Sequence, residues 1–334
     1  MKRILGAAVS VFAFGMVAPL TGQAPLVAPP SSTAKKDVPK RASASRNLEG
    51  IWTNVTLTPL ERPAGWEEKP TLTEAEAVEY ERKLRESANS DRRGATAQAD
   101  LGGAYNDAFF DRGTQLARVG GVARPSLIVD PPNGKIPPLT AEAQRRNAAV
   151  RRNSFDSIKD RPLAERCLLG FNSTDVPIIP AFYNNNLQIL QAPGTIMILI
   201  EMIHDVRFIH TDRSQHLPPT FRQWLGDSIG HWENNTLVID TTNFTGQTRF
   251  AGSGENLHVI ERLTRVAPDE ILYKFTIDDP STFTRQWSGE YSFRATTGPI
   301  YEYACQEGNY AMANILAGAR AKEKAVEAPK QENK

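Results

Sequence analysis

The second half of the chain is a run of short segments rich in Ile, Val, Thr, Tyr and Phe, joined by turn residues. In most of them apolar and polar residues alternate, which is typical of β-strands with one buried face. Asn234-Asn235 suits a two-residue hairpin, because Asn tolerates a positive φ. The predicted strands are Leu187–Gln191, Thr195–Ile203, Val206–Asp212, Asp227–Glu233, Thr236–Thr242, Leu257–Val266, Glu270–Ile277, Thr284–Ala295 and Pro299–Cys305.

This pattern predicts a mainly β protein built on an antiparallel meander. Eight or more short strands must protect their edges, and closing the sheet into a barrel does so. A two-sheet sandwich is the alternative. No helix separates consecutive strands, which argues against a doubly wound parallel sheet. Gly50-Ile51-Trp52 on the first predicted strand resembles the Gly-x-Trp pattern of lipocalin and calycin barrels, and that resemblance implies a lipocalin-like barrel.

Two or three helices are predicted in the first half, as an insertion at about residues 71–155 within a single domain spanning 47–316. Thr73 and Glu76 have the spacing of a capping box ahead of a helix that continues to about Ser87. A short helical piece is expected near 104–110. Thr140 is the expected cap of a further helix. Its arginines are interpreted as a solvated face rather than an anion site: Arg145, Arg146, Arg151 and Arg152.

The ends of the chain predict export. Residues 1–24 have the pattern of a secretory signal, with Lys2 and Arg3 before an uncharged apolar run and small residues at a cleavage site. An uncleaved N-terminal anchor is the alternative. Residues 25–46 are rich in Pro, Ala, Ser and Lys and predict a disordered linker, and 317–334 form a charged tail. We therefore expect a bacterial periplasmic or secreted protein with no stable membrane insertion after signal cleavage.

The charge balance limits the partners of this protein. In 334 residues, 39 Lys and Arg stand against 38 Asp and Glu, a net charge of +1. Binding of nucleic acid needs a dense basic face, so no nucleic-acid partner is expected. We expect a small-molecule ligand and no cofactor, and the oligomeric state is left open.

The two cysteines, Cys167 and Cys305, are the only ones in the chain. An oxidising compartment favours a disulfide between them. Two buried free thiols are the alternative. The disulfide would join the middle of the chain to its last predicted strand.

Ten sequence motifs in the stretch from residue 124 to the tail indicate a family. They are Arg124-Pro-Ser-Leu-Ile-Val-Asp-Pro-Pro132, Lys135-Ile-Pro-Pro-Leu-Thr140, Glu165-Arg-Cys167, Tyr183-Asn-Asn-Asn186, Glu201-Met-Ile-His-Asp-Val-Arg207, Gln223-Trp-Leu-Gly-Asp-Ser-Ile-Gly230, Trp232-Glu233, Thr241-Thr-Asn-Phe-Thr245, Glu302-Tyr-Ala-Cys305 and Gly308-Asn-Tyr310. Together they resemble a family of exported bacterial proteins described as hypothetical or secreted. That family tends to carry an Asp-Gly-Arg-Pro-His run where this chain has Asp212-Arg-Ser-Gln-His216. The resemblance implies export and no particular activity.

One hypothesis is acid–base catalysis, because all five histidines fall between residues 204 and 258, among several carboxylates. Glu201, beside apolar strand residues, would transfer a proton, and Arg207 would hold an anionic group. His210 or His258 would be the second proton-transfer group. The alternative interpretation is that Glu201 and Arg207 form an ion pair on the outer face of the barrel.

A metal site is not expected. The weak candidates are His210 and Asp212, two residues apart on one strand face, and His216 in the loop beyond. They match no tight metal spacing, and polar residues capping a hairpin explain them equally. Gly226-Asp-Ser228-Ile-Gly230 fits the nucleophile-elbow pattern, but that elbow needs a helix after the serine and here a hairpin follows.

Aromatic residues of the meander are candidate ligand contacts. Trp287 and Tyr291 share one strand face, and Tyr301 and Tyr303 share a face of the next predicted strand. If these faces line the lumen, Trp287, Tyr291 and Tyr303 form an aromatic pocket. If they do not, the same residues are core packing.

The leading functional hypothesis is binding of a small apolar or aromatic molecule in the mouth of the barrel. The first alternative is a cofactor-independent lyase, isomerase or hydrolase that uses Glu201 and a histidine. The second is a structural envelope protein.

Overall fold

The computed structural model describes residues 46–102, 106–171, 175–307 and 309–327. Strands dominate the second half of the chain and helices the first half. The elements in chain order are β1 (Gly50–Thr53), α1 (Glu74–Ala88), α2 (Ala97–Gly102), β2 (Arg118–Val119), β3 (Val122–Ala123), β4 (Ile128–Asp130), α3 (Ala141–Arg152), β5 (Asn186–Ala192), β6 (Thr195–Ile200), β7 (Val206–His210), β8 (Asp227–Glu233), β9 (Thr236–Thr242), β10 (His258–Ala267), β11 (Glu270–Asp278), β12 (Trp287–Ala295) and α4 (Ala311–Glu327).

Nine of these strands close into a barrel, as predicted, and do not form a sandwich. The order around the wall is β1, β5, β6, β7, β8, β9, β10, β11 and β12, and β12 pairs back to β1. The closing pairs are Trp52 with Ala295 and Thr53 with Arg294. β1 is short and covers only one part of this edge of β12. A second part of the same edge pairs with β4, at Ile128 and Gly289. Closure leaves no long free edge in the sheet.

One pair of neighbouring strands departs from the predicted antiparallel meander, and we call it the parallel joint of the barrel wall. β7 and β8 run parallel and pair only at Ile209 with Ser228 and at His210 with Ile229. A parallel pair needs a crossover connection. Here residues 211–226 provide it without a helix, crossing the outside of the wall. The barrel is therefore mixed.

The lumen is filled with side chains that alternate along each strand. Along β11, for example, Ile271, Tyr273, Phe275 and Ile277 all point inward and are buried. Gly289 on β12 is needed here, because a Cβ at this position would lie 2.3 Å from the Phe275 ring. The barrel interior is therefore a packed core.

The helices begin where their caps predict. The Thr73 side chain accepts a hydrogen bond from the Glu76 amide and the Glu76 side chain reaches back to Thr73, which completes the capping box of α1. Thr140 caps α3 in the same manner, through the Ala143 amide. The helical piece expected near 104–110 is a single 3-10 turn at Asp107–Phe109, with α2 ahead of it.

The last predicted strand, Pro299–Cys305, is wrong, because the structure contains no strand there. β12 already has β11 on one side and β1 and β4 on the other, so no edge is free to pair with it. The predicted disulfide is present, with a Cα–Cα distance of 5.7 Å between Cys167 and Cys305. It ties the segment after α3 to the irregular segment after β12, and not to a strand.

The predicted signal (1–24) lies outside the described residues, as does the predicted linker (25–46) except for Arg46. The first part of the predicted tail belongs to α4, and 328–334 lie outside the described residues. In the part of the chain that is described, no helix combines the length and the apolar character needed to cross a bilayer.

Candidate functional site

An ion pair with a hydrogen-bond network occupies the interior of the barrel. Arg207 on β7 donates to both carboxylate oxygens of Glu261 on β10, with an Nη1–Oε1 distance of 3.0 Å. The same guanidinium donates to Ser228 Oγ on β8 (3.0 Å) and to Thr241 Oγ1 on β9 (2.7 Å). Tyr273 on β11 donates to Glu261 Oε1 at 2.8 Å. The network therefore links five neighbouring strands through groups that would be costly to bury unpaired.

The network leaves Arg207 with few free donors to bind a ligand. Its contacts with Glu261, Ser228 and Thr241 use four of the five N–H donors of a guanidinium. Burial raises the pKa of Tyr273, and Glu261 beside it raises that pKa further, so the hydroxyl remains a proton donor. Arg207 as an anion clamp stays a prediction, and its present contacts are those of an internal support.

Glu201 is buried at the end of β6, but its carboxylate faces backbone. It accepts hydrogen bonds from the Tyr301 amide at 2.8 Å and the Asn186 amide at 3.2 Å. The segment after β12 is thereby fastened to the start of β5. Arg207 pairs with Glu261, so the outer-face ion pair between Glu201 and Arg207 does not form. Proton transfer by Glu201 stays a prediction.

The two histidines of the catalytic hypothesis lie on the outside of the wall. His210 at the end of β7 is partly exposed, and its Nδ1 is 3.9 Å from Asp212. His258 begins β10 and hydrogen-bonds to Asp240. Arg207 and His210 both line one cavity, described below, whereas Glu201 and His258 do not line it. The structure therefore brings together two of the four predicted catalytic residues.

A series of alternating imidazole and carboxylate groups runs over the outer surface from β10 to the crossover. His258 Nε2 lies 3.1 Å from Asp240, and His216 Nε2 lies 2.9 Å from the same carboxylate. His216 Nδ1 in turn lies 3.0 Å from Asp227, which also pairs with Arg213. His216 and Arg213 belong to the crossover, residues 211–226. Their contacts with Asp227 and Asp240 therefore fasten the crossover to the wall of the barrel.

The contact between Asp240 and His258 shifts the pKa of both groups. The hydrogen bond to Asp240 raises the pKa of His258, although partial burial acts in the opposite direction. Burial would raise the pKa of Asp240, but the two histidines outweigh it and the pKa is lowered. The protonated form of His258 is therefore favoured beside an ionised Asp240.

The weak metal candidates do not converge. His216 turns toward Asp227 and Asp240, away from the pair of His210 and Asp212. Among the described residues, no group of three His, Cys, Asp or Glu side chains is arranged to hold a metal ion. Ser228 of the Gly-x-Ser-x-Gly pattern points into the lumen and bonds to Arg207 and Thr241.

A cavity of about 710 Å³ lies at the parallel joint, where residues 206–208 have no partner on β8. We call it the seam cavity, lined by Leu168, Leu169, Asp205–Phe208, His210, Arg222–Ser228 and Thr245. Asp205 is a carboxyl group of this cavity whose pKa is raised. Burial raises the pKa of Asp205 to about 6, while His204 and a hydrogen bond with Asp175 act in the opposite direction. Such a carboxyl can exchange a proton under physiological conditions.

A second cavity, of about 450 Å³, has mostly apolar walls. We call it the mouth cavity, because it lies at the barrel end where β1 stops and β5 starts. Leu127 and Phe250 of the core form its floor, and the exposed rings of Phe171 and Phe182 stand at its rim. The remaining lining comes from Thr56–Leu60, Leu84, Ser87, Ala88, Arg112, Ile136, Ile179–Ala181 and Ala251.

The predicted aromatic contacts do not line the mouth cavity, although Trp287 packs against Phe250 of its floor. Trp287 and Tyr291 are fully buried in the lumen, packed against Phe275 and Phe293. Tyr303 stacks on Tyr183 outside the barrel, with ring centroids 6.4 Å apart. Core packing accounts for the first two, and their role in ligand binding stays a prediction.

Sequence reasoning singled out Arg207 and His210 of the seam cavity but missed Asp205 in that cavity and the aromatic rings of the mouth cavity. Asp205 follows a buried strand, and an acidic residue between His204 and Val206 carries little signal by itself. Phe171 and Phe182 stood in a segment with no strand or helix periodicity. Two aromatic rings in a segment of this kind are a signal of a binding surface, because irregular segments commonly carry functional residues.

Comparison with known proteins adds no relative. No family model, no curated protein and no solved structure matches this chain. The assignment of function therefore depends on the cavities and their chemistry.

Proposed function

We propose that the protein is an exported binder of a small apolar or aromatic molecule, and that the ligand occupies the mouth cavity. The observation that carries this proposal is a cavity of about 450 Å³ with apolar walls on a closed β-barrel. Ligand sites are commonly concave, apolar and about 300–1,000 Å³ in volume. The proposal includes the likeness to lipocalin-like barrels that the Gly50-Ile51-Trp52 pattern suggests.

The rim of the mouth cavity suits a flat ligand. Phe182 is 58% exposed and Phe171 38%, so both rings present apolar surface at the entrance of the cavity. Arg112 lies over the Phe110 ring at 3.6 Å and donates to the Ala88 carbonyl. A ring that enters between the two phenylalanines would remove apolar surface from water, at roughly 25 cal/mol per Å².

Export is the second part of the proposal. The Cys167–Cys305 disulfide supports it, because structural disulfides persist in oxidising compartments. The apolar segment of residues 1–24 and the motifs that resemble those of exported bacterial proteins support it as well. Fractionation of the native host with N-terminal sequencing tests it: a periplasmic or secreted chain that begins at Pro25 is expected. An intracellular chain that retains Lys2 and Arg3 would contradict export.

The binding test uses the apolar fluorescent probe N-phenyl-1-naphthylamine with a matched pair of variants. Ala88 lines the mouth cavity at the end of α1, and Ala75 is exposed on the same helix. We expect saturable binding to the wild type, at least tenfold weaker binding to Ala88→Trp, and a change of less than twofold for Ala75→Trp.

Native mass spectrometry on protein from its own envelope fraction complements the probe. A bound small molecule that is lost in Ala88→Trp supports the proposal, and its mass gives its chemical class. Absence of saturable probe binding to the wild type, or equal affinity in the two variants, would reject the mouth cavity as the site.

Acid–base catalysis is a second candidate, favoured by one observation: Asp205, whose pKa is raised to about 6, lines the seam cavity. In that case Asp205, and not Glu201, is the expected proton-transfer group. A screen of esters, lactones and enolisable ketones would look for turnover. Asp205→Asn should lower any activity found by about 100-fold or more, and an unchanged rate would exclude this role.

A further inference from the structure

A third cavity, of about 610 Å³, lies between the last turn of α3 and two irregular segments, residues 159–164 and 247–249. Four cationic side chains line it: Arg151, Lys159, Arg161 and Arg249. Asp160 is the one carboxylate among its described lining residues. This cavity is separate from the mouth cavity and from the seam cavity.

The positive charge of this cavity is only partly neutralised. Glu165 holds Arg161 through two hydrogen bonds of 2.8 Å each, and Asp160 accepts a hydrogen bond from Ser157 at 2.6 Å. Among the described residues, Arg151, Lys159 and Arg249 have no carboxylate oxygen within 4.0 Å. Three positive charges therefore face one cavity without an acidic partner.

The surroundings of Arg249 are unfavourable for a positively charged side chain. Its side chain is partly buried, and both this burial and the nearby Arg146 lower its pKa. Arg146 itself bonds to Thr282 Oγ1 at 2.7 Å and to the Gly252 carbonyl, which are uncharged acceptors. A partly buried guanidinium that lacks a counter-charge and lies near a second guanidinium is unfavourable unless an anion joins it.

We propose that this cavity binds a small molecule through an oxyanion group, a phosphate or a carboxylate. Arg249 is the inner ligand contact, and Arg151 and Lys159 close the site from the exposed side. A guanidinium fork matches the oxygen spacing of both groups and binds them with two parallel hydrogen bonds. Leu163 and Val150 in the same wall would receive the apolar part of the molecule.

This inference revises the interpretation of the arginine-rich helix. Arg145 and Arg152 are exposed and fit a solvated face. Arg151 instead contributes to a cavity whose other cations come from the loop that follows α3 and from Arg249, which is distant in the chain. The anion site is thus assembled by the fold and has no local sequence motif.

The test titrates inorganic phosphate and, separately, succinate into the purified protein at pH 7 and constant ionic strength. Binding is followed by calorimetry and by the rise in Tm that a ligand of the folded state produces. We expect Arg249→Gln to weaken binding of the preferred anion at least tenfold. Arg145→Gln removes the same charge from α3 outside the cavity and should change the affinity less than twofold.

The stability of the free variants separates a lost contact from a damaged fold. Without ligand, Arg249→Gln should have a Tm equal to or above that of the wild type, because it removes a poorly solvated charge beside Arg146. The double variant Arg151→Gln/Lys159→Gln, at two exposed positions, should also weaken binding and serves if Arg249→Gln fails to fold.

The preferred anion identifies the chemistry: tighter binding of phosphate indicates a phosphorylated ligand, and tighter binding of succinate a carboxylate. Absence of saturable binding for both anions would overturn the proposal. Equal affinity in the wild type, Arg249→Gln and the double variant would overturn it as well.

Discussion

Arg207 and Glu261 are 54 residues apart in the chain and form a two-pronged ion pair inside the barrel, where they are 2% and 0% exposed. Arg207 lies two residues from the buried Ile209, and Glu261 lies between the buried Val259 and Leu263, so each interrupts a hydrophobic face. The pair joins β7, at the weakly paired joint, to β10, in the best-paired part of the wall. Its removal should therefore affect the whole barrel.

Removal of only one member of this ion pair should strongly destabilise the protein. Arg207→Met leaves Glu261 charged and unpaired in the lumen, and a cost of about 3–5 kcal/mol in the free energy of unfolding is expected. The double variant Arg207→Met/Glu261→Leu removes both charges and should be less destabilised than the sum of the single variants. Urea unfolding followed by tryptophan fluorescence measures all three. Strictly additive losses would show that the two side chains do not support one another.

Asp205 should make the protein less stable as the pH rises. Its pKa is raised to about 6 in the folded state, against an ordinary value of 3.8. The folded state therefore binds the proton more tightly, and stability falls between about pH 4 and pH 6. Asp205→Asn cannot ionise, so its stability relative to the wild type should increase over this window.

Urea midpoints of the wild type and Asp205→Asn at pH 4 and pH 8 measure that difference. Asp156→Asn, an exposed aspartate on another segment, is the matched control and should show no such gain. A constant difference between wild type and Asp205→Asn at both pH values would mean that Asp205 ionises normally.

Protonated His258 should contribute to the stability of the folded state in the neutral pH range. Because its pKa is raised by the hydrogen bond to Asp240, its stabilisation is fully present below the ordinary value of 6.5. The stabilisation is lost as the pH rises through the raised folded-state pKa. The stability advantage of the wild type over His258→Gln should therefore shrink from pH 6 to pH 8.5.

NMR titration of the His258 ring gives the pKa directly. His231→Gln, which removes a ring that is 63% exposed on the β8–β9 hairpin, is the control and should not reproduce the trend. If Asp240→Asn leaves the His258 pKa unchanged, the carboxylate is not its cause.

The disulfide should account for a substantial part of the stability. It closes a loop of 138 residues, which the chain-entropy account equates with about 5 kcal/mol. Cys167→Ala/Cys305→Ala should unfold at least 2 kcal/mol more easily, as removal of native disulfides commonly shows. The intact mass of the wild type should be two protons below that of the reduced chain. Two thiols that alkylate without a reductant would disprove the bond.

Much of the barrel can be predicted from the sequence, because alternation with a period of two depends only on neighbouring residues. β8 and β9 occupy the predicted bounds, Asp227–Glu233 and Thr236–Thr242. Alternation is the same in parallel and antiparallel strands, so it does not reveal the parallel joint. It also predicted a strand at 299–305, where the fold offers no free edge.

The site is less predictable, because its contacts join distant strands. Glu261 between Val259 and Leu263 is a charge on an apolar face, and this signal marks it as internal. The residue that neutralises Glu261 is determined only when the barrel closes. Spacing along the chain instead favours Glu201 as the partner of Arg207. Arg151 and Arg249 likewise meet only after the helix and the loops have packed.

The wall of the barrel is a circuit of hydrogen bonds with a thin link between β7 and β8. The closing pair of β1 and β12 is equally short, but β12 has β4 as a second partner on that side. β7 and β8 share two residue pairs, whereas β8 and β9 share seven. Local opening follows the least-bonded boundary, so backbone amides along β7 should exchange with solvent sooner than those of β10 and β11. Once that link opens, the ring becomes an open sheet with two bare edges that can recruit strands from other molecules. Arg213 and His216, which anchor the crossover over this link, therefore protect the protein against aggregation as well as unfolding.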